Sequence, residues 1–124
     1  MNIAVVDYAR IAPDADFPLP KTAADYRWSQ YPALDPAGVR ADCWRAHVLV
    51  TVACPIDAET IAALPKLAYV IVAGGDVNLV DQAAAAARGI ELIYTPEAAA
   101  LTPAALCQKI VDELDRIIVN VGHR

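Results

Sequence analysis

The sequence of 124 residues contains few cysteines and no long uncharged apolar run. Its three cysteines lack a CxxC spacing, which argues against a disulfide framework and against a zinc site. The apolar runs stay well below the ~20 residues that cross a bilayer, and the N-terminus lacks the basic, cleavable pattern of a secretory leader. We therefore expect a soluble cytoplasmic protein without a membrane partner.

Positive charge is also scarce in this sequence. Ten basic residues against 15 acidic ones give a net charge of −5, and no basic patch with interleaved aromatic residues is present. Such a surface does not attract nucleic acid or anionic lipid. With 57% hydrophobic residues the chain is too apolar for disorder, and its length suits one domain over residues 1–124.

Five segments predict β-strands. Residues 3–6, 48–52 and 67–73 are near-continuous apolar runs rich in β-branched residues, as in central strands that are buried on both faces. Residues 26–31 and 90–94 mix polar and apolar side chains, which is typical of edge strands.

Helix signals separate most of these strands. An N-cap residue begins each of four predicted helices, namely Asp35, Asp57, Asp81 and Thr102. The last helix is the longest and extends to about residue 121. The first connection, residues 8–25, is rich in proline and predicts a long loop, with a possible helical turn only at residues 21–25.

This alternation of strands and helices predicts an α/β fold. Right-handed crossovers between parallel strands place helices on both faces of a five-stranded sheet. With the first, third and fourth strands central, the order is 2-1-3-4-5, the flavodoxin-like arrangement, and the long C-terminal helix completes it. Ligands of such sheets bind beyond the carboxyl ends of the strands, here at residues 7–10, 53–56 and 73–78.

One stretch, residues 48–117, resembles a known family. Its segments VLVTVACPIDAETIAALPKLAYVIVAGG, VNLVDQAAAAARGIELIYTP and LTPAALCQKIVDELDR follow the pattern of the substrate-binding domain of the D-isomer-specific 2-hydroxyacid dehydrogenases. The first strand also fits, whereas residues 8–46 fit only by the order of their elements. The resemblance identifies residues 102–121 as the family's crossing helix.

The resemblance also bears on catalysis. In the family, the crossing helix leads into a Rossmann domain that carries the glycine-rich NAD fingerprint and the catalytic Arg, Glu and His. In this sequence no GxGxxG follows a strand, and the chain ends soon after the helix. We therefore expect no bound cofactor and no autonomous dehydrogenase activity, and we assign no catalytic residue and no metal site.

Gly74, Gly75, Asp76 and Val77 are candidate substrate-binding residues. In the family, backbone amides of the corresponding glycine loop hold the substrate carboxylate. Asp76 replaces a family glycine, and its negative charge opposes the binding of an anion. The simpler alternative for both glycines is that they turn the chain after a central strand.

Asp7 and Cys54 are the other two candidates, because both follow strands that end at the predicted crevice. Asp7 suits a ligand contact or a general base, and the alternative is a loop cap. Cys54 precedes a helix whose dipole is expected to lower the thiol pKa, and the alternative is a structural cysteine. His47 is expected at the surface, at the opposite edge of the sheet, too far away to activate either residue.

Three functions fit this sequence. The first is a binding or interaction module, a stand-alone relative of the substrate-binding domain with a small carboxylate as its ligand. The second is half of an NAD-dependent 2-hydroxyacid oxidoreductase that a nucleotide-binding chain completes in trans. The third is a receiver-like binder of another small anion, for which the acidic cluster and the lysine of a receiver are lacking.

The C-terminal helix predicts a protein partner. Leu106, Ile110, Leu114, Ile117 and Val121 form an apolar stripe at helical spacing, and further apolar residues widen it. In the family this helix packs against the nucleotide-binding domain. We expect a homodimer that buries the stripe, with Ile110 and Ile117 in the contact.

Overall fold

The computed structural model describes residues 2–11, 27–73, 77–95 and 102–122. These residues form a five-stranded parallel sheet with helices packed around it. The strands are β1 (Asn2–Val5), β2 (Arg27–Gln30), β3 (Val48–Thr51), β4 (Tyr69–Val72) and β5 (Glu91–Tyr94), and the helices are α1 (Pro36–Asp42), α2 (Ala58–Ala63), α3 (Gln82–Ala87) and α4 (Pro103–Gly122).

The strand order is β2-β1-β3-β4-β5, which confirms the predicted α/β fold. β1 lies between β2 and β3, so that Ile3 pairs with Trp28 on one side and with Val48 on the other. The central strands β1, β3 and β4 are almost entirely buried, whereas edge strand β2 is mostly exposed. The continuous apolar runs therefore mark strands that are covered on both faces.

Two hydrophobic cores lie on opposite faces of the sheet. α1, α2 and α3 contribute Val39, Ile61 and Ala85 to the first core. α4 contributes the second, in which Ile110 and Leu114 cluster with side chains of the central strands. Because successive side chains of a strand point to opposite faces, each central strand supplies both cores.

The apolar face of α4 is buried against the sheet of its own chain as far as Ile117, and the side chain of Val121 lies outside the described residues. Ile110 and Ile117, the residues predicted to form a dimer contact, are 0% and 2% exposed. Leu106, Cys107 and Val111 lie in the same core, so the sheet also covers the wider part of the stripe. A homodimer stays a prediction, and these two isoleucines already have a partner within the chain. None of the helices that the structure describes has the length and apolarity required to span a bilayer.

Side-chain caps begin the helices where the sequence predicts them. Asp35, Asp57 and Asp81 accept hydrogen bonds from backbone N–H groups at 2.7, 2.8 and 3.0 Å. Thr102 caps α4 in the same way, through its hydroxyl oxygen at 3.2 Å. After α3 the chain turns at Gly89, whose φ of 68° lies in the left-handed region that favours glycine.

The short elements differ from the prediction in their boundaries. α1 ends at Asp42 although helical spacing continues to Ala46, because the chain turns there to enter β3, with the Ala46 N–H donating to the Cys43 carbonyl. A 3₁₀ turn, Tyr8–Arg10, follows β1, and a second one, Val77–Leu79, precedes α3; neither was predicted. The remainder of the proline-rich connection lies outside the described residues.

Candidate functional site

The loops that follow β1, β2 and β3 meet around a cavity of about 220 Å³ at the carboxyl edge of the sheet. Its lining includes Asp7, Leu34, Asp35, Cys54 and Pro55. The cavity lies where the winding of the chain reverses between β1 and β3, which is the predicted position of a ligand crevice. The fold thus brings together two of the candidate residues, Asp7 and Cys54.

The carboxylate of Asp7 is buried against the loop between β3 and α2. Its Oδ1 accepts a hydrogen bond from the N–H of Val52 at 2.8 Å, and its Oδ2 accepts bonds from the N–H groups of Ala53 and Cys54 at 2.7 and 2.9 Å. Asp7 is only 2% exposed, so backbone donors replace water around its charge. This is the loop-capping alternative for Asp7, and a ligand contact stays a prediction.

A second side chain holds the same loop. Thr51, at the end of β3, donates a hydrogen bond from its hydroxyl to the carbonyl oxygen of Cys54 at 2.8 Å. Thr51 is fully buried, so this bond satisfies both polar groups away from water. Sequence reasoning missed Thr51, because threonine at the end of an apolar run is common in any strand.

The thiol of Cys54 lies among carboxylates. Burial, followed by the charges of Asp7, Asp35 and Asp57, raises the pKa of Cys54 to about 11. The expected lowering by the helix dipole is therefore corrected: α2 has only six residues, and the nearby negative charges and burial outweigh its N-terminus. Cys54 is a neutral thiol at neutral pH, which fits the structural alternative.

The connection between β4 and α3 approaches the same edge. Ile56 and Val80 form an isolated parallel bridge, and the N–H of Ile56 donates to the carbonyl oxygen of Leu79 at 2.8 Å. This contact ties the loop that Asp7 caps to the 3₁₀ turn that begins at Val77.

Three of the four candidate residues in the glycine loop are not described by the structure. Gly74, Gly75 and Asp76 lie outside the described residues, so their predicted contacts remain predictions of the sequence. The bridge at Ile56 was not foreseen, since no local pattern signals a pairing between two loops.

The described residues do not assemble a nucleophile with a base. His47 precedes β3, at the amino edge of the sheet, where it is partly exposed; its Nδ1 accepts a hydrogen bond from the N–H of Asn2 at 2.9 Å. Within the same described ranges, no group of three His, Cys, Asp or Glu side chains could hold a metal ion.

A comparison with known protein families shows to which family this chain belongs. The family described as D-isomer specific 2-hydroxyacid dehydrogenase, catalytic domain, matches residues 5–108. The chain belongs to this family. The match begins in β1 and ends within α4, so this dehydrogenase-family domain includes Asp7, Cys54 and the whole glycine loop. A comparison with curated proteins finds no match.

Solved structures of the same fold come from longer chains. The similarity covers 77% of this chain in apo D-lactate dehydrogenase from Escherichia coli (TM-score 0.56, 14% identity), in NAD+-bound 3-phosphoglycerate dehydrogenase from Entamoeba histolytica (0.59, 19%) and in the pyruvate reductase of Chlamydomonas reinhardtii (0.57, 21%). It covers only 31%, 32% and 28% of those chains. The dehydrogenase-family domain thus spans about a third of their length and shares their fold.

Proposed function

We propose that this dehydrogenase-family domain binds a small 2-oxo or 2-hydroxy carboxylate at the carboxyl edge of its sheet, without dehydrogenase activity of its own. The family match supports the class of ligand. The observation that carries the proposal is the loop between β3 and α2, which Asp7 anchors through three backbone N–H groups. A loop held in this way offers a ligand a preformed wall and reduces the entropy lost on binding.

The cavity beside this loop restricts the side chain of the ligand. No lysine or arginine is among its described lining residues, and Leu34 and Pro55 present apolar surface. The Oδ1 atom of Asp35 accepts a hydrogen bond from the N–H of Gly38 at 2.7 Å, so this carboxylate adds a fixed negative charge to the lining. A small, uncharged ligand side chain fits this lining, and a phosphorylated one does not.

The glycine loop sets the affinity for the ligand carboxylate. By resemblance to the family, this carboxylate meets the backbone N–H groups of residues 74–77. The negative charge of Asp76 opposes that contact, which predicts weak binding in the wild type. Asp76→Asn removes the charge at nearly constant size and is expected to strengthen binding several-fold.

A ligand screen and a cofactor titration test the proposal. In a thermal-shift screen, 2-oxo and 2-hydroxy acids are expected to raise the melting temperature, while NAD and NADP leave it unchanged. Fluorescence titration with NADH is expected to show no saturable binding. Micromolar NADH binding that quenches Trp28 or Trp44 would overturn the proposal.

Calorimetry on the Asp76→Asn variant tests the position of the site. Asp112→Asn, on the exposed side of α4, is the matched control, since it removes one carboxylate charge far from the glycine loop in sequence. Stronger binding of the same 2-oxo acid in the first variant alone supports the proposal. Unchanged or weaker binding there shows that the ligand sits elsewhere or that Asp76 is itself a ligand contact.

We also propose a second candidate function, which the family match leaves open. The domain matches only 28–32% of the three solved chains. In this candidate it is one half of an NAD-dependent 2-hydroxyacid oxidoreductase, completed in trans by a nucleotide-binding chain. A pull-down with the tagged domain supports it when the captured chain carries GxGxxG and the pair, unlike either chain alone, oxidises NADH with a 2-oxo acid.

A further inference from the structure

A second cavity, of about 180 Å³, lies between the end of α1 and strands β1 and β2. It shares no lining residue with the carboxyl-edge cavity. Its polar lining residues include Arg27, Ser29, Tyr31, Asp42 and Arg45. The proposed function uses none of these residues, so the cavity needs its own explanation.

Two arginines reach this cavity from different parts of the chain. Arg27 begins β2, and Arg45 lies in the connection between α1 and β3. Among the described residues, neither forms an ion pair with a carboxylate. Two guanidinium groups without such a partner on one cavity, in a chain with a net charge of −5, indicate a local preference for an anion.

The guanidinium group of Arg45 stacks on an aromatic ring, and among the described residues none accepts a hydrogen bond from its N–H groups. Its guanidinium carbon lies 4.5 Å from the centroid of the Trp44 ring. Stacking on an aromatic face leaves the N–H groups, which lie in the guanidinium plane, available for an acceptor. The side-chain amide of Asn2 donates to the carbonyl oxygen of Arg45 at 3.1 Å, which fixes the backbone at this position.

The remaining polar residues of this cavity indicate which other groups a ligand would carry. Ser29 and Tyr31 follow Arg27 at alternate positions of one extended segment, so they share its face of the sheet. Asp42 adds one negative charge at the end of α1, and burial keeps Cys43 neutral by raising its thiol pKa to about 12. Two arginines offer positive charge to a carboxylate, and the one aspartate offers an acceptor to a hydroxyl or ammonium group.

We propose that this cavity is a second ligand site, which takes a small monocarboxylate that also carries a hydroxyl or an amino group. The carboxylate meets Arg27 and Arg45, and the donor group meets Asp42. Ile3 and Ala4, both buried, line the same cavity and keep its inner end apolar, which strengthens the polar contacts at its mouth. A ligand here is bound and not converted, because the site lies apart from the carboxyl edge.

Calorimetric titrations of the whole chain test this site. The ligands are glycolate for the hydroxy acid, glycine for the amino acid and acetate as the acid without a donor group. We expect saturable binding of glycolate or glycine, with acetate weaker. Arg27→Gln and Arg45→Gln are each expected to weaken that binding by at least about tenfold, since each removes a charge-assisted hydrogen bond.

Two further variants test whether the binding depends on the residues of this cavity. Arg116→Gln, which removes an arginine paired with Glu113 on α4, is the matched control and is expected to leave binding unchanged. Asp42→Asn is expected to remove the preference over acetate. Circular dichroism melting curves confirm that each variant is folded.

The outcomes separate this site from the carboxyl edge. No binding of glycolate or glycine at about 10 mM, or binding that either cavity arginine variant leaves unchanged, overturns the inference. Glycolate binding that responds to Asp76→Asn and ignores both arginines overturns it too, while leaving the proposed function intact.

Discussion

The carboxylate of Asp7 accepts a hydrogen bond from the backbone N–H of Cys54 at 2.9 Å, across a sequence separation of 47 residues. Asp7 follows the first strand of the chain and Cys54 follows the third, so the bond joins two adjacent central strands at their carboxyl ends. It makes a buried charge part of the wall of the candidate site. The shape of that wall therefore depends on the hydrogen bonds of one side chain.

Asp7→Asn tests this dependence through stability. The amide can accept through one oxygen only, and its NH2 group faces backbone donors that it cannot satisfy. We expect the free energy of unfolding to fall by about 3 kcal/mol, measured by urea denaturation. Asp112→Asn on α4, where the exposed carboxylate accepts a hydrogen bond from the side chain of Gln108, is the control and should change stability by less than about 0.5 kcal/mol. Equal effects of the two variants would contradict the role given to Asp7.

The three buried cysteines are expected to react slowly with thiol reagents. Cys54, Cys43 and Cys107 are 5%, 3% and 1% exposed, and burial raises the pKa of Cys54 and Cys43 to about 11 and about 12. Both of these thiols are therefore protonated and covered at neutral pH. We expect a disulfide exchange reagent to modify them only as fast as the protein unfolds. Rapid modification of Cys54 in the native protein would show that the carboxyl-edge loop opens.

His47 makes stability depend on pH. Burial, followed by the charges of the N-terminal amine and of Lys66, lowers the pKa of His47 below 6.5, and its Nδ1 accepts a hydrogen bond from the N–H of Asn2. The unfolded chain then takes up the proton at a higher pH than the folded one, so stability is complete above about pH 6.5 and falls as the pH decreases through the folded pKa. Relative to His47→Gln, the wild type should lose stability between about pH 7 and pH 5. A difference in the free energy of unfolding between wild type and variant that does not change with pH would refute this.

The cap of α2 responds to acid. Hydrogen bonds from the side chain and then the backbone N–H of Thr60 hold the pKa of Asp57 below its ordinary value. A carboxyl group whose pKa is lowered by folding stabilises the protein at pH values above its pKa in the unfolded chain. This contribution is lost as the pH falls through the pKa of the folded protein. Asp57→Ala should therefore cost about 1 kcal/mol at neutral pH and less near pH 3. Chemical denaturation at both pH values measures the difference, and a larger cost in acid would be inconsistent with the depressed pKa.

The homodimer is tested by light scattering on the wild type, which should report about twice 13.2 kDa at micromolar concentration if the prediction holds. A wild type that stays monomeric at high concentration contradicts it. Ile117→Asp places a charge in the core beneath α4, so it should lower the free energy of unfolding by more than about 3 kcal/mol whether or not a dimer forms.

The sequence predicted the strand order and the helix caps because these depend on local and periodic signals. Runs such as residues 48–52 identify buried strands, and Asp57 followed by Glu59 identifies a helix start. The contacts of Asp7 with residues 52–54 and the bridge of Ile56 with Val80 could not be predicted, because distant loops meet there without a local pattern. For the same reason the carboxylates around Cys54, which raise its thiol pKa, were not apparent.

A two-dimensional NMR titration of the whole chain with pyruvate, as a simple 2-oxo acid, tests the central claim most directly. The account predicts saturable shifts of the backbone amides that follow β3 and β4, above all those of Val52, Ala53, Cys54 and residues 77–79. Amides of residues 27–31 and 42–46 should shift little, because pyruvate lacks the donor group proposed for the second cavity. Shifts confined to that second group, or no saturable shift at any amide, would contradict the assignment of the carboxyl edge as the carboxylate-binding site.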